Sequence, residues 1–411
     1  MGPGGSLQPL QERQFRLLWL GRVASSVGDV LIPVALAFAV LELHDSSLDY
    51  GLVLASFTGA RVLLSLVGGV VADRLPRRRV MLGCDVVRAL IEAATAALLF
   101  SHLMTLPLFV VTAALFGGAS AFFGPASVAL IPQTVRREQL QQANAMLGMS
   151  QSVLNVFGPA VSGLIIALTH TTAWVFALDA ATFVASAFFL AQLRVPEPAP
   201  TARTSFRAEL GAGYREVRSR SWVSSALIAF SVSNVCIASF LVLGPVIVRH
   251  HGGAGEWGFV AAFGALGLFA GGYASSRARP SHPLGVGFAS SALLALPLAA
   301  LAVPLPVPLI AAGFAVGMAS TEYADTLWET TLQRRIPTLV LARVRSYDQL
   351  VSFSFMPLGY LAFGALAQGI GAEPTLLAAA CAVAVTNLGV AAIPSVRGLS
   401  ADEPAPSPAT S

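Results

Sequence analysis

Residues 68–79 read GGVVADRLPRRR, and this stretch decides the fold. A long apolar run ends there in two glycines, one acid and four arginines, and a second apolar run begins at Val80. Two helices that each cross a bilayer account for this pattern: about 20 apolar residues per crossing, a tight turn between them, and basic residues held on the cytoplasmic side. Without a Cβ, the glycines let one helix approach another closely. Asp73 stands where a charge is costly unless something answers it.

Composition agrees with a membrane protein. Of 411 residues, 55% are hydrophobic and 11% charged, with a mean hydropathy of +0.72; a globular chain carries roughly a quarter charged residues. The net charge is +4, and all 25 basic residues are arginine, which reads as base bias in a bacterial genome. Cys84, Cys236 and Cys381 lie alone in apolar segments and read as small buried hydrophobes. No HExxH, phosphate-binding glycine loop or GxSxG is present, so the chain reads as no enzyme, with no cofactor and no metal. The amino-terminal segment lacks the layout of a cleavable signal, which leaves the first span as its own targeting signal.

Apolar runs long enough to span fall at 16–42, 49–72, 80–101, 105–131, 143–169, 173–192, 222–248, 257–275, 284–303, 307–331, 347–369 and 373–393. With the amino terminus in the cytoplasm, 21 arginines fall inside, Arg249 falls outside, and Arg22, Arg61 and Arg88 lie within spans. A wrong number of spans would scatter that bias across both sides. Twelve spans with both termini cytoplasmic is the expectation, in the cell membrane of a bacterium.

Residues 193–221 form the one long polar segment, a proline-rich linker followed by FRAELGAGYREVRSRSW, whose charge spacing predicts a helix on the membrane surface. Its arginines read as a solvated face beside anionic lipid, with no nucleic-acid role. The expected organisation is therefore a six-helix bundle over 1–192, a linker over 193–221, a second six-helix bundle over 222–396, and a disordered tail over 397–411.

The two halves repeat one another. GGVVADR at Gly68–Arg74 returns as GGYASSR at Gly271–Arg277, with Ser276 in place of the acid. Ile131-Pro132 followed by Arg136 and Arg137 is echoed by Ile336-Pro337 followed by Arg343 and Arg345, and Gly158-Pro159 by Met356-Pro357. Matched landmarks at matched positions predict two pseudo-symmetric bundles around a central cavity.

These residues resemble the major facilitator superfamily. Its loop between spans two and three has the pattern G-x-x-a-D-R-x-G-R-R, filled here by Gly69, Asp73, Arg74, Arg77 and Arg78, with Pro76 where the family usually has glycine. FRLLWLGRVASSVGD in span one, FFGPASVALIP ending span four and QQANAM opening span five are similar to its drug and siderophore exporter branch, which includes macrolide efflux proteins and the enterobactin exporter. The family's antiporter motif in span five is partly present as a helix-packing motif, Gly158, Pro159 and Gly163, whereas Leu154 and Ser162 depart from it. Span four lacks the arginine of many proton antiporters. The resemblance implies an all-α transporter with alternating access, in which Gly69, Asp73, Arg74, Arg77 and Arg78 form a conformational gate against span eleven and neighbours of span six.

An ionisable residue at the bilayer centre costs about 2.5 to 3.5 kcal/mol on insertion scales, so each one needs a reason. Asp29 lies roughly 20 Å into span one at helical rise. It reads as a site for a proton or a substrate charge, or as a structural partner of Arg22 or Arg61. In span ten, Glu322, Asp325 and Glu329 share one helix face, with Tyr323 and Trp328 between them. Glu329 sits near the interface and reads as an ion-pair partner; Glu322 and Asp325 are about 18 Å and about 13 Å deeper than Arg334 and are candidates for proton coupling. Arg22, Asn234, Tyr323 and Trp328 are candidate cavity-lining residues, the two aromatics as stacking surfaces for a cationic or aromatic substrate or as plain packing. Asp85, Arg88 and Glu92 in span three read as self-neutralising, with Arg88 reaching both acids. Asp179 has no evident partner, and Asn144, Asn155, Asn234, Ser231 and Ser233 read as interhelical hydrogen-bond formers.

The sequence therefore predicts a monomeric secondary transporter that expels small amphipathic molecules of drug or macrolide type, by proton antiport. The alternatives are a dedicated exporter of a siderophore or other secreted metabolite and, from another class, a membrane binding or regulatory protein that does not transport.

Overall fold

A computed structural model describes residues 8–195, 214–249, 252–336 and 338–400. The side chains of 66–74, 338, 339, 342, 343 and 346 lie outside the described residues, and with them those of the gate candidates Gly69, Asp73 and Arg74. Most of the linker expected over 193–221 and of the tail expected over 397–411 also lies outside.

Every regular element among the described residues is helical. A bilayer supplies no water to an exposed backbone, and a helix satisfies its own N–H and C=O groups. The long helices are α1 Arg13–Leu43, α2 Ser47–Arg74, α3 Arg77–Phe100, α4 Leu106–Leu130, α5 Leu140–Thr169 and α6 Ala173–Ala191. They continue as α7 Ser221–Val248, α8 Ala254–Arg277, α9 Pro283–Ser291, α10 Ala295–Ala302, α11 Val307–Arg335, α12 Thr338–Ser354, α13 Met356–Ile370 and α14 Ala372–Ala392.

Two expected spans are each built from two helices. Pro297 has no N–H for the carbonyl four residues back, and a 3-10 turn at Ala292–Leu294 separates α9 from α10. Pro357 stands at the start of α13, where a missing N–H costs nothing, and Phe355 separates α12 from α13. The polar break expected at 170–172 is a left-handed cap: His170, at φ 53°, ends α5 and returns its N–H to the Ile166 carbonyl.

Ten of the spans are long and apolar enough to cross a membrane among the described residues. Of the other two, α2 is only partly described, and α3 carries Asp85, Arg88 and Glu92 within one membrane-length window. Those three are buried, so the polar side of α3 faces protein rather than lipid.

The chain divides into two compact units, Met1–Ala202 with Val248–Ala262, and Arg203–Ile247 with Phe263–Ser411. In the first, α1 packs on α5 and α6, α2 on α4, and α3 on α4 and α6. Gly158 lies against Val30 of α1, where a Cβ would come within 2.3 Å of the valine Cγ2; a Cβ at Gly163 would lie 2.6 Å from the Ala254 carbonyl oxygen. In the second unit, α9 and α10 pack on α11 and α14. The repeated glycine pair has a packing role there, since a Cβ at Gly271 would stand 2.2 Å from the Ala319 carbonyl oxygen.

Cys84 and Cys236 are buried as expected, whereas Cys381 is exposed, on a stretch of α14 whose outward residues are apolar or small. Residues 214–219 are helical, and Val217 joins the apolar core of the second unit.

Candidate functional site

Side chains of α1, α2, α3, α4 and α6 line a cavity of about 430 Å³ in the first unit. Its walls are largely apolar: Phe57 from α2, Phe109, Phe116 and Phe123 from α4, and Phe176 from α6, with Ile32, Pro33 and Leu36 from α1. Four ionisable side chains break this surface, namely Asp29, Arg61, Arg88 and Glu92.

Arg88 is the organising group. It is 2% exposed, and its guanidinium lies between the rings of Phe123 and Phe183, at 4.4 and 4.3 Å from their centroids. It donates to Asp85 and to Ser25 Oγ at 3.3 Å, and its Nη1 lies 3.6 Å from Asp29 Oδ2. Asp85 in turn accepts from Ser186 Oγ at 2.5 Å. A buried guanidinium left unpaired would carry a desolvation penalty of several kcal/mol, which these acids and the two aromatic faces offset.

The pairing differs from the expectation. Arg88 reaches Asp85 one turn before it, but its second acid is Asp29 of α1 rather than Glu92, so α3 does not neutralise itself. Nor do Arg22 or Arg61 supply the ion pair of Asp29. Arg22 lines a separate small niche with Ser26, Ser150 and Gln151, away from the main cavity. Glu92 lines the cavity at 4% exposure, and its Oε2 has no hydrogen-bond partner.

Asp179 is fully buried. Its Oδ1 accepts from Thr182 Oγ1 at 3.3 Å, while its Oδ2 has no partner. It presses on α1 at Gly28, where a Cβ would lie 1.6 Å from Oδ1. Only a residue without a side chain lets α1 and α6 close over this acid.

In the second unit the acids of α11 are answered differently. Glu329 pairs with Arg345, as expected of an interface residue. Glu322 and Asp325 are half-buried, and Glu322 lies against Gly272 of α8. Trp328 is 3% exposed and packs edge-on against Trp222 and Phe230, so it belongs to the core rather than to a substrate surface. Its Nε1 donates to Asp348 Oδ2 at 2.9 Å, and Ser352 Oγ donates to Asp348 Oδ1 at 3.0 Å. Tyr323 is half-buried. Asp348 was not singled out in the sequence, where its i, i+4 spacing to Ser352 was the available signal.

Asn234 donates from Nδ2 to the Ser352 carbonyl at 3.1 Å and so ties α7 to α12. Ser231 and Ser233 make similar ties, to the Val351 carbonyl and to Asn387. Asn144 and Asn155 bond within their own helix instead. At the turn between α2 and α3, Arg77 donates to the Ala129 carbonyl at 2.7 Å, and Arg78 donates to the carbonyls of Leu190, at 3.0 Å, and Ala191. Both arginines therefore sit on the electronegative carboxyl-terminal ends of α4 and α6, where cations are favoured. Among the described residues, no three histidine, cysteine or carboxylate groups converge as metal ligands would.

The family model described as transmembrane secretion effector, a group of the major facilitator superfamily, matches residues 4–408. The chain belongs to this family. Enterobactin exporter EntS of Shigella boydii serotype 18 is 27% identical over 375 residues, covering 90% of this chain and 88% of the relative. The same exporter from Escherichia coli O1:K1 / APEC gives the same identity and coverage. Among solved structures, a variant of nucleoside transporter NupG is similar with a TM-score of 0.73 at 14% identity, covering 91% of this chain and 98% of that one. A bacterial homologue of iron transporter ferroportin in its inward-facing state gives 0.72 at 18%, covering 93% and 99%. At such identities the likeness speaks for the major facilitator fold alone. The protein is thus a multi-pass membrane transporter of bacterial type, and the family and its relatives are transporters rather than enzymes.

Proposed function

We propose that the protein is a secondary active exporter of small amphipathic organic molecules, of drug or macrolide type, driven by proton entry through alternating access. The observation that carries this reading is the meeting of Asp29, Glu92 and Arg88 at the wall of an aromatic cavity. Asp29 lines the cavity, lies 3.6 Å from Arg88 and is 40% exposed, so it is loosely enough bound to exchange partners. A carboxylate that takes a proton when its cationic partner withdraws, and releases it when the partner returns, couples charge to conformation. Glu322 and Asp325 are the corresponding candidates in the second unit, with Tyr323 beside them.

On this reading the turn bearing Gly69, Asp73, Arg74, Arg77 and Arg78 is the conformational gate, and Gly158, Pro159 and Gly163 keep α5 close to its neighbours. The arginine bias supports cytoplasmic termini, a bacterial cell membrane as the location and a linker joining two six-helix halves. We take the working unit as a monomer. A second reading, a dedicated exporter of a siderophore or other secreted metabolite, is favoured by the enterobactin exporters among its relatives.

Everted membrane vesicles test both readings. Cationic dyes, macrolides and catecholate siderophores would be added in turn, and discharge of the pH gradient followed for the parent, Asp29→Asn and Glu322→Gln. At least one compound should discharge the gradient in the parent, and Asp29→Asn should abolish the signal. Movement of a compound with no proton signal, or parental behaviour in both variants, would end the proton-coupled reading. The compound class that responds decides between drug and siderophore.

A further inference from the structure

We propose that the polar face shared by α1 and α5 carries a subsite for the carboxylate of an organic anion, with the Arg22 guanidinium as its counter-charge and Ser26 and Gln151 as neighbouring donors. The subsite is separate from the cavity that Asp29 lines. It rests on the export reading and names a group that the exported molecule carries.

Arg22 and Ser26 lie one turn apart on α1 and, with Leu147, Ser150, Gln151 and Leu154 of α5, line a niche of about 10 Å³. That volume takes about one oxygen-sized group and no ring. Beside it the Trp19 indole N–H donates to Ser150 Oγ at 3.1 Å and ties the two helices together. The exposed surface of α5 has two sides. Gln141, Asn144, Ser152 and Asn155 form a polar stripe, whereas Met149, Val153, Phe157 and Leu164 form an apolar one on another face of the helix. Lipid accepts the apolar stripe, while a run of amides at membrane depth belongs to water or protein. Gln151 extends the polar side, so the niche opens on a face that solutes reach.

The sign of the ligand follows from the charges at the niche. Arg22 is partly exposed, and among the described residues it makes no hydrogen bond and no ion pair. A guanidinium at membrane depth without an acid is costly, so a carboxylate that enters gains a charge-assisted, two-pronged contact. No acid lines the niche, and Leu140–Thr169 contains none. Asp29 stands seven residues further along α1, roughly 10 Å at helical rise, and is answered by Arg88. Ser26 also has no partner among the described residues, and Gln151 spends one amide N–H on Asn155 Oδ1 at 2.9 Å, which leaves the other free to donate. One cation and two neutral donors balance a single negative charge, which suits a carboxylate better than a phosphate dianion. A cationic solute would meet Arg22 as a like charge.

The test uses the full chain in phosphatidylcholine nanodiscs and 1-naphthoate as probe, with equilibrium dialysis as readout and empty nanodiscs to correct for partition into lipid. 1-Naphthamide and 1-naphthylmethylammonium keep the ring and replace the anion by a neutral group and by a cation. Naphthoate should bind saturably, with each comparison compound at least about tenfold weaker. Arg22→Gln should weaken naphthoate by about tenfold or more. Ser26→Leu, which fills the niche and alters no charge, should do the same, and Arg279→Gln, on the exposed turn after α8, should leave binding unchanged. Gel filtration and a melting curve would establish that each variant is folded; if Arg22→Gln is not, Ser26→Leu decides. Equal affinity for the amide or the ammonium compound, parental affinity in either folded niche variant, or no saturable naphthoate binding would overturn the proposal. Exchange of part of the phosphatidylcholine for phosphatidylglycerol should leave the dependence on Arg22 in place; its disappearance would mean that a lipid headgroup occupies the arginine, and the organic-anion assignment would fall. If vesicles of the parent export a macrolide or catecholate while naphthoate fails to bind, this subsite falls and export stands. If naphthoate binds as expected and no compound is moved, the subsite stands and the export reading falls.

Discussion

Around Arg88 the first unit gathers the buried Asp85, Glu92 and Asp179 and the more open Asp29, and two of the four acids keep an oxygen without a partner. Around α11 the second unit has as many acids, yet Glu329 has Arg345, Asp348 has Trp328 and Ser352, and Glu322 and Asp325 remain half-buried. Similar residue types have been placed under different constraints. Where Glu329 and Asp348 are answered, those two acids read as structural, and Glu322 and Asp325 are left as the coupling candidates of this unit. Where a cavity opens onto an unanswered one, the arrangement is poised to receive something.

The sharpest way to break this comparison is to remove Arg88. Arg88→Met keeps most of the volume but leaves Asp85 and Asp29 without their cation, and should lower the stability of the folded protein by about 3 to 5 kcal/mol. Thermal unfolding in detergent would read this as a large fall in melting temperature. A variant that melts with the parent would mean that the acids do not depend on the arginine.

A smaller effect is expected at Trp328 of the second unit. Trp328→Phe keeps an aromatic ring against Trp222 and Phe230 but removes the indole N–H from Asp348, a hydrogen bond to a carboxylate worth about 1.5 to 3 kcal/mol. The same melting measurement, with Asp348→Asn and the double variant, closes a double-mutant cycle. Additive losses would show that the two side chains do not act as a pair.

Smallest of all should be Glu329→Gln. Both members of its pair with Arg345 are more than two-fifths exposed, and exposed pairs contribute about 0 to 1 kcal/mol. A loss approaching that of Arg88→Met would erase the distinction between the two constellations.

Much of the fold was legible from spacing. GGVVADRLPRRR announces two spans and a turn, and apart from α12, which starts at Thr338 ahead of its apolar run, the helices end within a few residues of the apolar runs because lipid leaves a chain few other ways to satisfy its backbone. The site was less legible. Asp29 does line a cavity, but the arginines that the sequence offers it, Arg22 and Arg61, stand on α1 and α2, whereas Arg88 comes from α3. Trp328 had the composition of a stacking residue and is packed into a core. Asn234 carries a tie from α7 to α12 that its own helix does not announce. In each case the deciding quantity was the rotation of one helix against its neighbours, which no periodicity within a single helix contains.

The sequence by itself determined an all-helical membrane fold, the segregation of arginine and the likeness to a transporter family, because hydrophobic length and charge bias act locally along the chain. Only the tertiary structure decided that α3 turns its charges inward, that Arg88 joins Asp85 to Asp29, and that Glu92 faces an aromatic space unanswered. Those outcomes depend on which side chains from five helices meet at one depth, and that is fixed by packing.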